Sequence, residues 1–262
     1  MKKVTLTFLL ILSLFSSCDF NWSALEQPDG ERLIEVRRYD RLESRYLTTG
    51  DYAALQQMNT DYAVETRMLL EDVLKLGEVR DPSINTRFLI SYQDTVLQMV
   101  IADAQTQYTV IDDINQDLSN AFAQLKEWLP ELPLPEVYMQ IGTFGQSIVV
   151  GDGYVGISLD KYLGSDYPLY QHYFTKSQRE SMKREYIVPD CLSFYLLSVY
   201  PLQNIDARTQ QEKDLHMGKV MWVVNKAMGR RFFNTPFVKK ADLLMKENPS
   251  ATIKDLLEGK LG

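Results

Sequence analysis

The sequence predicts an α+β fold that is predominantly helical. Apolar residues recur at spacings of three or four through most of residues 33–128 and again through 177–262, which is the period of helices with one buried face. Between these regions, residues 137–164 are rich in β-branched and aromatic residues, and Gly151-Asp152-Gly153 separates two apolar runs. Glycine and aspartate tolerate the positive φ angles of a tight hairpin turn. We therefore expect a helical layer packed on a small antiparallel β-hairpin or sheet of two or three strands.

The helix boundaries follow from the same pattern. In the first half the predicted helices lie at 33–47, 62–76, 82–99 and 111–128. Pro82 opens the third of these after Asp81, and Gly77 closes the second. In the last third they lie at 177–186, 189–200 and 210–228, with a final helix from Thr252. The stretch 191–200 is apolar almost all round, which predicts a central core helix.

The N-terminus predicts a lipoprotein signal. Lys2 and Lys3 precede an uncharged stretch, and Ser16-Ser17-Cys18 follows it, which is the layout of a secretory signal peptide. A cysteine directly after small residues is typical of bacterial lipoproteins, so Cys18 is the expected lipidation site. We predict a signal peptide at 1–17, a lipidated N-terminus and tether at 18–30, and a single domain at 31–262. An ordinary secreted protein with a chance cysteine is the alternative.

The predicted location is the cell envelope, where the N-terminal lipid holds the protein to a membrane. Acyl chains contribute about 0.8 kcal/mol per buried CH₂, and several chains together give stable attachment. No acidic run follows Cys18 beyond Asp19, so export to the cell surface is not indicated. We expect a periplasm-facing anchor in either the inner or the outer membrane.

The charge balance argues against nucleic acid as a partner. The chain has 28 basic and 35 acidic residues. Loss of residues 1–17 removes Lys2 and Lys3 and no acid, which leaves 26 basic residues and a formal net charge of −9. Nucleic-acid-binding proteins carry basic patches instead. The pairs Arg230-Arg231 and Lys239-Lys240 could meet anionic headgroups, but a solvated face is the preferred interpretation.

The sequence contains no recognisable catalytic motif. Zinc hydrolases need two histidines one helical turn apart, whereas His172 and His216 are distant from each other and from any Gly-x-Ser-x-Gly motif. Each is predicted to be a surface or helix-packing residue. Cys191, the one thiol left once Cys18 is lipidated, is predicted to be a buried core residue. We expect no catalytic residue, no metal and no cofactor.

A carboxylate cluster is the alternative to this view. Asp152, Asp160 and Asp166 lie within fifteen positions of one another, and calcium binds hard oxygen ligands of this kind. However, Asp152 already has a role in the hairpin turn, and the spacing lacks the Asp-x-Asp-x-Asp-Gly ligand pattern. Structural roles for these acids are therefore favoured.

Five segments carry a resemblance to a known family. They are "LIEVRRYDRLESRYL" at 33–47, "GISLDKYLGSDYPLY" at 156–170, "YIVPD" at 186–190, "GKVMWVVNKAMG" at 218–229 and "NPSATIKDLLEG" at 248–259. In this order they resemble the gliding-motility lipoprotein GldB family of Bacteroidota, and the Leu-Asp-x-Tyr-Leu-Gly block at 159–164 is the most specific. Between Gly229 and Pro236 the chain lacks the longer tryptophan-containing insert of that family, so it resembles a shortened, divergent member.

The resemblance implies a part in the envelope machinery that drives surface movement in gliding relatives. Together with the missing catalytic motifs, it favours a non-enzymatic component that binds envelope protein or glycan partners. The layout is also remotely similar to zincin-like peptidase domains, with helix 189–200 in the place of the metal helix but without the metal motif. A metal-dependent envelope hydrolase of this degenerate type, using Asp160 and Asp166, is the alternative function.

The candidate binding residues are Asp160, Tyr162, Gly164 and Asp166. The first three belong to the family block, and Asp166 is the next carboxylate along the chain. Asp160 follows an apolar strand, so its carboxylate either caps the following turn or faces a cleft between the hairpin and the helices. A binding role predicts that Asp160→Asn keeps the fold and weakens partner binding.

The lipid anchor is tested by Cys18→Ser. Because the serine has no thiol to accept a lipid, lipoprotein signal peptidase should leave the variant uncleaved and without acyl label. Labelling cells with a radioactive fatty acid, followed by electrophoresis, measures both properties. Cys191→Ser removes the other thiol and should keep the label. Incorporation of fatty acid into Cys18→Ser would contradict the assignment.

Overall fold

The computed structural model describes residues 33–261, most of which are helical. The first group of helices is α1 Tyr39–Thr49, α2 Tyr52–Asp61, α3 Ala63–Arg67 with a π-helical continuation Met68–Val73, α4 Ile84–Ser91, α5 Thr95–Gln107 and α6 Asp112–Trp128. The strands are β1 Glu136–Gln140, β2 Ile148–Gly151 and β3 Tyr154–Ser158. The remaining helices are α7 Tyr170–Tyr173, α8 Lys176–Arg179, α9 Ile187–Val199, α10 Gln210–Ala227, α11 Pro236–Glu247 and α12 Ile253–Leu257. The prediction of a predominantly helical α+β fold is confirmed.

The strands form one mixed sheet in the order β1-β3-β2. β2 and β3 pair antiparallel, with Ile148 opposite Ile157, and form the predicted hairpin. β1 pairs with β3 in parallel, with Val137 opposite Val155. The prediction of a purely antiparallel sheet is therefore wrong. The reason is that β1 pairs with the second strand after it, and two reversals of chain direction restore the original direction.

The hairpin turn confirms the reasoning from Gly151-Asp152-Gly153. Asp152 and Gly153 form a two-residue loop with φ angles of +52° and +83°. Positive φ at both central positions is the requirement of a type I′ turn, whose twist matches that of the flanking strands. The turn residues thus fix the register of β2 on β3.

Residues 33–38 are not helical, so the prediction that the first helix begins at residue 33 is wrong. Arg37 forms a single parallel bridge with Tyr138 of β1. On the other side, Ser119 Oγ and Asn115 Oδ1 of α6 accept hydrogen bonds from the backbone N–H groups of Ile34 and Val36, at 3.2 and 2.9 Å. The backbone of this segment is therefore satisfied by α6 and β1, and it has no need of helical hydrogen bonds.

Two other predicted helices also differ. Segment 82–99 divides into α4 and α5, because Asp94 accepts a hydrogen bond from Val96 N at 2.7 Å and caps a new helix. Segment 177–186 holds only the single turn of α8 and a 3₁₀ turn at Arg184–Tyr186. Helices α2 and α11 and the single turn of α7 are additional to the prediction. The capping box of Thr252 with Asp255 is present.

Helix α9 lies at the centre of the core, as its apolar sequence predicts. It contacts α6 and α10 as well as strands β2 and β3, and Cys191, Leu192 and Leu196 on it are fully buried. Within residues 33–261, no helix is both long enough and apolar enough to cross a membrane.

Candidate functional site

The candidate site is built where the β1–β2 connection crosses the end of the central strand. Because β1 and β3 are parallel, their carboxyl ends share one edge of the sheet, and β2 begins at that same edge. Residues 141–147, here called the crossing loop, must therefore pass over the end of β3. Ser147 O accepts a hydrogen bond from Ser158 N at 2.9 Å at this crossing. Asp160 follows two residues after β3.

Asp160 is fully buried and holds the crossing loop by its backbone. Its Oδ1 accepts from Gly142 N at 2.6 Å, and its Oδ2 accepts from Phe144 N at 2.7 Å. Burial raises the pKa of Asp160, and the two amide hydrogen bonds offset part of this increase. The carboxylate thus ties down the preceding loop, which is neither of the two roles that the sequence suggested.

Glu43 of α1 is a second buried carboxylate on the same loop, and it was missed by the sequence analysis. Its Oε2 accepts a hydrogen bond from Ile141 N at 2.8 Å. Among residues 33–261, nothing donates to its Oε1. Burial raises the pKa of Glu43 well above its usual value; the Ile141 amide lowers it, and Asp40 and Asp160 raise it further. Its position on the buried face, between Tyr39 and Leu47, was the available signal.

Close approach of the backbone makes these contacts possible. A Cβ atom on Gly142 would lie only 3.2 Å from Asp160 Oδ1, so glycine allows the amide to reach the carboxylate. Phe144 has a φ of +61°, a conformation that costs a non-glycine residue energy unless its surroundings hold it. The Phe144 N–H bond to Asp160 and the Phe144 O bond from Lys161 Nζ, at 3.2 Å, provide this support.

The outer side of the crossing loop presents aromatic rings. The ring of Phe144 is stacked on Tyr173, with centroids 6.0 Å apart, and contacts Phe174 edge-on. Tyr173 is 65% exposed. Lys161 Nζ lies 4.1 Å from the centre of the Phe174 ring. We call Phe144, Tyr173 and Phe174 the aromatic face.

Tyr162 is buried, and its hydroxyl donates to Asp190 Oδ2 of α9 at 2.9 Å. Burial raises the pKa of Asp190 to about 7, and the hydrogen bond from Tyr162 limits the increase. The neighbouring Cys191 is fully buried, and burial raises the pKa of its thiol to about 12. Cys191 is therefore a core residue, as predicted, and an unreactive thiol at neutral pH.

Separate positions are occupied by the other candidate residues, Gly164, Asp166 and Asp152. Gly164 adopts a φ of +120°, which favours glycine, and its N–H donates to Met182 O at 3.0 Å. Asp166 is exposed, whereas Asp160 is buried. Asp152 lies at the hairpin turn and forms an ion pair with Arg67. The structure does not bring the three aspartates together, and residues 33–261 hold no group of three or more His, Cys, Asp or Glu side chains suited to a metal.

The two histidines occupy the positions expected of surface and packing residues. His172 is exposed. His216 is largely buried on α10, and its Nε2 lies 2.9 Å from Tyr200 O. Burial lowers the pKa of His216, although the contact with Tyr200 opposes this shift.

The fold is a mostly helical α+β domain. Its candidate site consists of a surface loop that two buried acids, Glu43 and Asp160, hold by hydrogen bonds. A family model described as "Gliding motility protein GldB" matches residues 26–231, well over half of the chain. The chain therefore belongs to the GldB family, which is a family of envelope lipoproteins related to gliding motility. No curated protein and no solved structure matches the chain. The remote zincin-like layout has no support in this structure.

The role of Asp160 is tested by Asp160→Asn. The hydrogen bonds alter the expectation from sequence, because an asparagine NH₂ would face one of the two amide donors. An unsatisfied buried donor costs about 1–3 kcal/mol, and each kcal/mol lowers the thermal midpoint by roughly 2–4 °C in a domain of this size. Calorimetry measures the change. Asp166→Asn, on the surface, should change stability by less than about 0.5 kcal/mol, and equal midpoints for the two variants would contradict the role.

The raised pKa of Asp190 predicts a pH dependence. Folded Asp190 binds its proton near pH 7, whereas an unfolded aspartate does so near pH 4. Between these values the folded state holds more protons, so the contribution of Asp190 to the free energy of unfolding falls as pH rises, by at most about 1.4 kcal/mol per pH unit. Urea unfolding of the wild type and Asp190→Asn should show this slope in their difference. Tyr162→Phe removes the hydrogen bond that lowers the pKa of Asp190, so the slope should extend to higher pH. A difference in the free energy of unfolding that does not change with pH would refute the prediction.

Proposed function

We propose that this GldB-family protein is a non-enzymatic, lipid-anchored component of a cell-envelope assembly, and that it binds a partner through the crossing loop and the aromatic face. The observation that supports the proposal is that Glu43 and Asp160 hold the crossing loop instead of lining an open cleft. Their carboxylates accept hydrogen bonds from the amides of Ile141, Gly142 and Phe144. Two buried acids thus hold a surface loop in place instead of facing a substrate.

A fixed loop suits binding, because ordering a flexible loop on association costs free energy. The crossing loop exposes Thr143, Gly145 and Gln146 beside the aromatic face. Tyrosine is enriched among the residues that dominate binding energies, since it offers a large contact area together with a hydroxyl group. Tyr173, which is exposed and backed by Phe144, is the residue that we expect to contribute most.

We also propose that a lipid on Cys18 anchors the domain. Cys18 lies outside the described residues, and the family match begins a few residues after it, at residue 26. A lipid on Cys18 would keep the domain close to the membrane surface, facing the periplasm. The bound partner is then an envelope protein or glycan within reach of a short tether.

The binding surface is tested by photo-crosslinking in intact cells. A photoreactive residue at position 146 should yield a crosslinked species, and Tyr173→Ala should reduce its recovery roughly 5- to 30-fold, the equivalent of ~1–2 kcal/mol. Tyr52→Ala is the matched control, because Tyr52 is 74% exposed and lies on α2. Digestion with protease or with muramidase distinguishes a protein partner from a glycan.

Two outcomes would overturn the proposal. One is equal recovery from Tyr173→Ala and Tyr52→Ala. The other is a stoichiometric metal ion in the purified protein that is lost on Asp160→Ala, since that result would favour the hydrolase.

A further inference from the structure

A second concave surface lies between α10 and α11, and its residues are separate from the candidate site. It encloses about 430 Å³, which is within the size range of small-molecule pockets. Its lining includes Trp222 and Asn225 of α10 and Lys239, Asp242 and Leu243 of α11. The family match ends at residue 231, so the wall formed by α11 lies beyond it.

The cavity is positively charged in a chain whose formal net charge is −7. Four cationic side chains line it, namely Lys226, Arg230, Arg231 and Lys239, against the single acid Asp242. Asp242 is already engaged, because it accepts from Trp222 Nε1 at 3.0 Å and pairs with Lys246 at 2.7 Å. The negative charge of Asp242 is therefore already balanced by Lys246 when no ligand is bound.

Two of the four cations are available to a ligand. Arg230 pairs with Asp117 at 2.7 Å, and Lys226 Nζ lies 5.1 Å from the centre of the Trp222 ring. Arg231 and Lys239 are exposed, and neither forms an ion pair with any residue from 33 to 261. An Arg–Lys pair of this kind matches a phosphate group, because the guanidinium fork and the ammonium group donate to different oxygens.

The walls of the cavity are fixed before binding. Asn225 Oδ1 accepts from Phe232 N and Phe233 N, at 2.8 and 3.0 Å, and its Nδ2 donates to Phe233 O at 2.8 Å. These bonds fold the α10–α11 connection back onto α10. The two helices also pack closely, since a Cβ on Gly218 would lie 2.5 Å from Phe237 Cβ.

The apolar part of the lining indicates that the ligand has an apolar portion as well as a phosphate. Trp222 and Val238 are largely buried, whereas Leu243 is 55% exposed. A small organic body would cover this surface while its phosphate meets Arg231 and Lys239. We propose that the cavity between α10 and α11 binds a phosphate group carried on a small organic body, either a free phosphorylated metabolite or the headgroup of an anionic phospholipid.

The proposal is tested by calorimetric titration of the full-length lipidated protein in neutral detergent micelles. Glycerol 3-phosphate probes the free ligand. Mixed micelles in which about one molecule in five is phosphatidylglycerol and the rest is neutral detergent probe the headgroup. Binding of either probe supports the cavity, and the one that binds identifies the source. Arg231→Gln/Lys239→Gln should weaken this binding at least tenfold.

A matched control separates the cavity from general electrostatic attraction. Arg80→Gln/Lys176→Gln removes the same charge from exposed residues elsewhere and should leave binding unchanged. Leu243→Asp changes a side chain that is 55% exposed and places a negative charge beside the cavity, so it should also weaken binding. The proposal is overturned if neither probe binds, or if the two double variants weaken binding equally.

Discussion

Two buried carboxylates accept the amide hydrogens of one loop, and the arrangement of the domain depends on this interaction. Glu43 comes from α1, and its hydrogen-bond partner Ile141 lies 98 positions further along the chain. Asp160 comes from the end of the central strand. Burial removes the hydration of each acid at a cost of several kcal/mol, and the hydrogen bonds from the loop amides offset part of that cost. These hydrogen bonds therefore join helix α1, the crossing loop and the end of β3.

Some acidic side chains are buried in this molecule, whereas the four basic side chains of the α10–α11 cavity are exposed. Asp160 and Glu43 are buried, and Asp190 bonds a buried tyrosine. These acids connect elements of the core, where each accepts a hydrogen bond from an amide or a hydroxyl group. Arg231 and Lys239 instead lie on the surface beside the α10–α11 cavity. An acidic net charge thus coexists with a local basic concavity, because net charge does not report which charges face solvent.

The local features of the fold were predictable from the sequence, and the long-range ones were not. Period, turn residues and caps predict α6, the central helix α9 and the hairpin turn, since these depend on neighbours in the sequence. The parallel β1–β3 pair was missed because strand order is set by packing of distant segments. Asp160 was identified as a site residue, but its partners come from a loop with no sequence signal of its own. Glu43 was overlooked because a single acid in an amphipathic helix is usually exposed.

The insertion of β3 between β1 and β2 has a consequence for the order in which the chain folds. Because synthesis runs from the N-terminus, β1 is made before β3. Until β3 is in place, β1 can pair only through the single bridge at Arg37. Of the three loop amides, only that of Ile141 then has its acidic acceptor, Glu43. The hairpin, whose two strands are joined by a two-residue turn, forms locally and quickly. Completion of the sheet therefore waits for residues 154–158, and until they are in place β1 has an open strand edge that is free to pair with other chains.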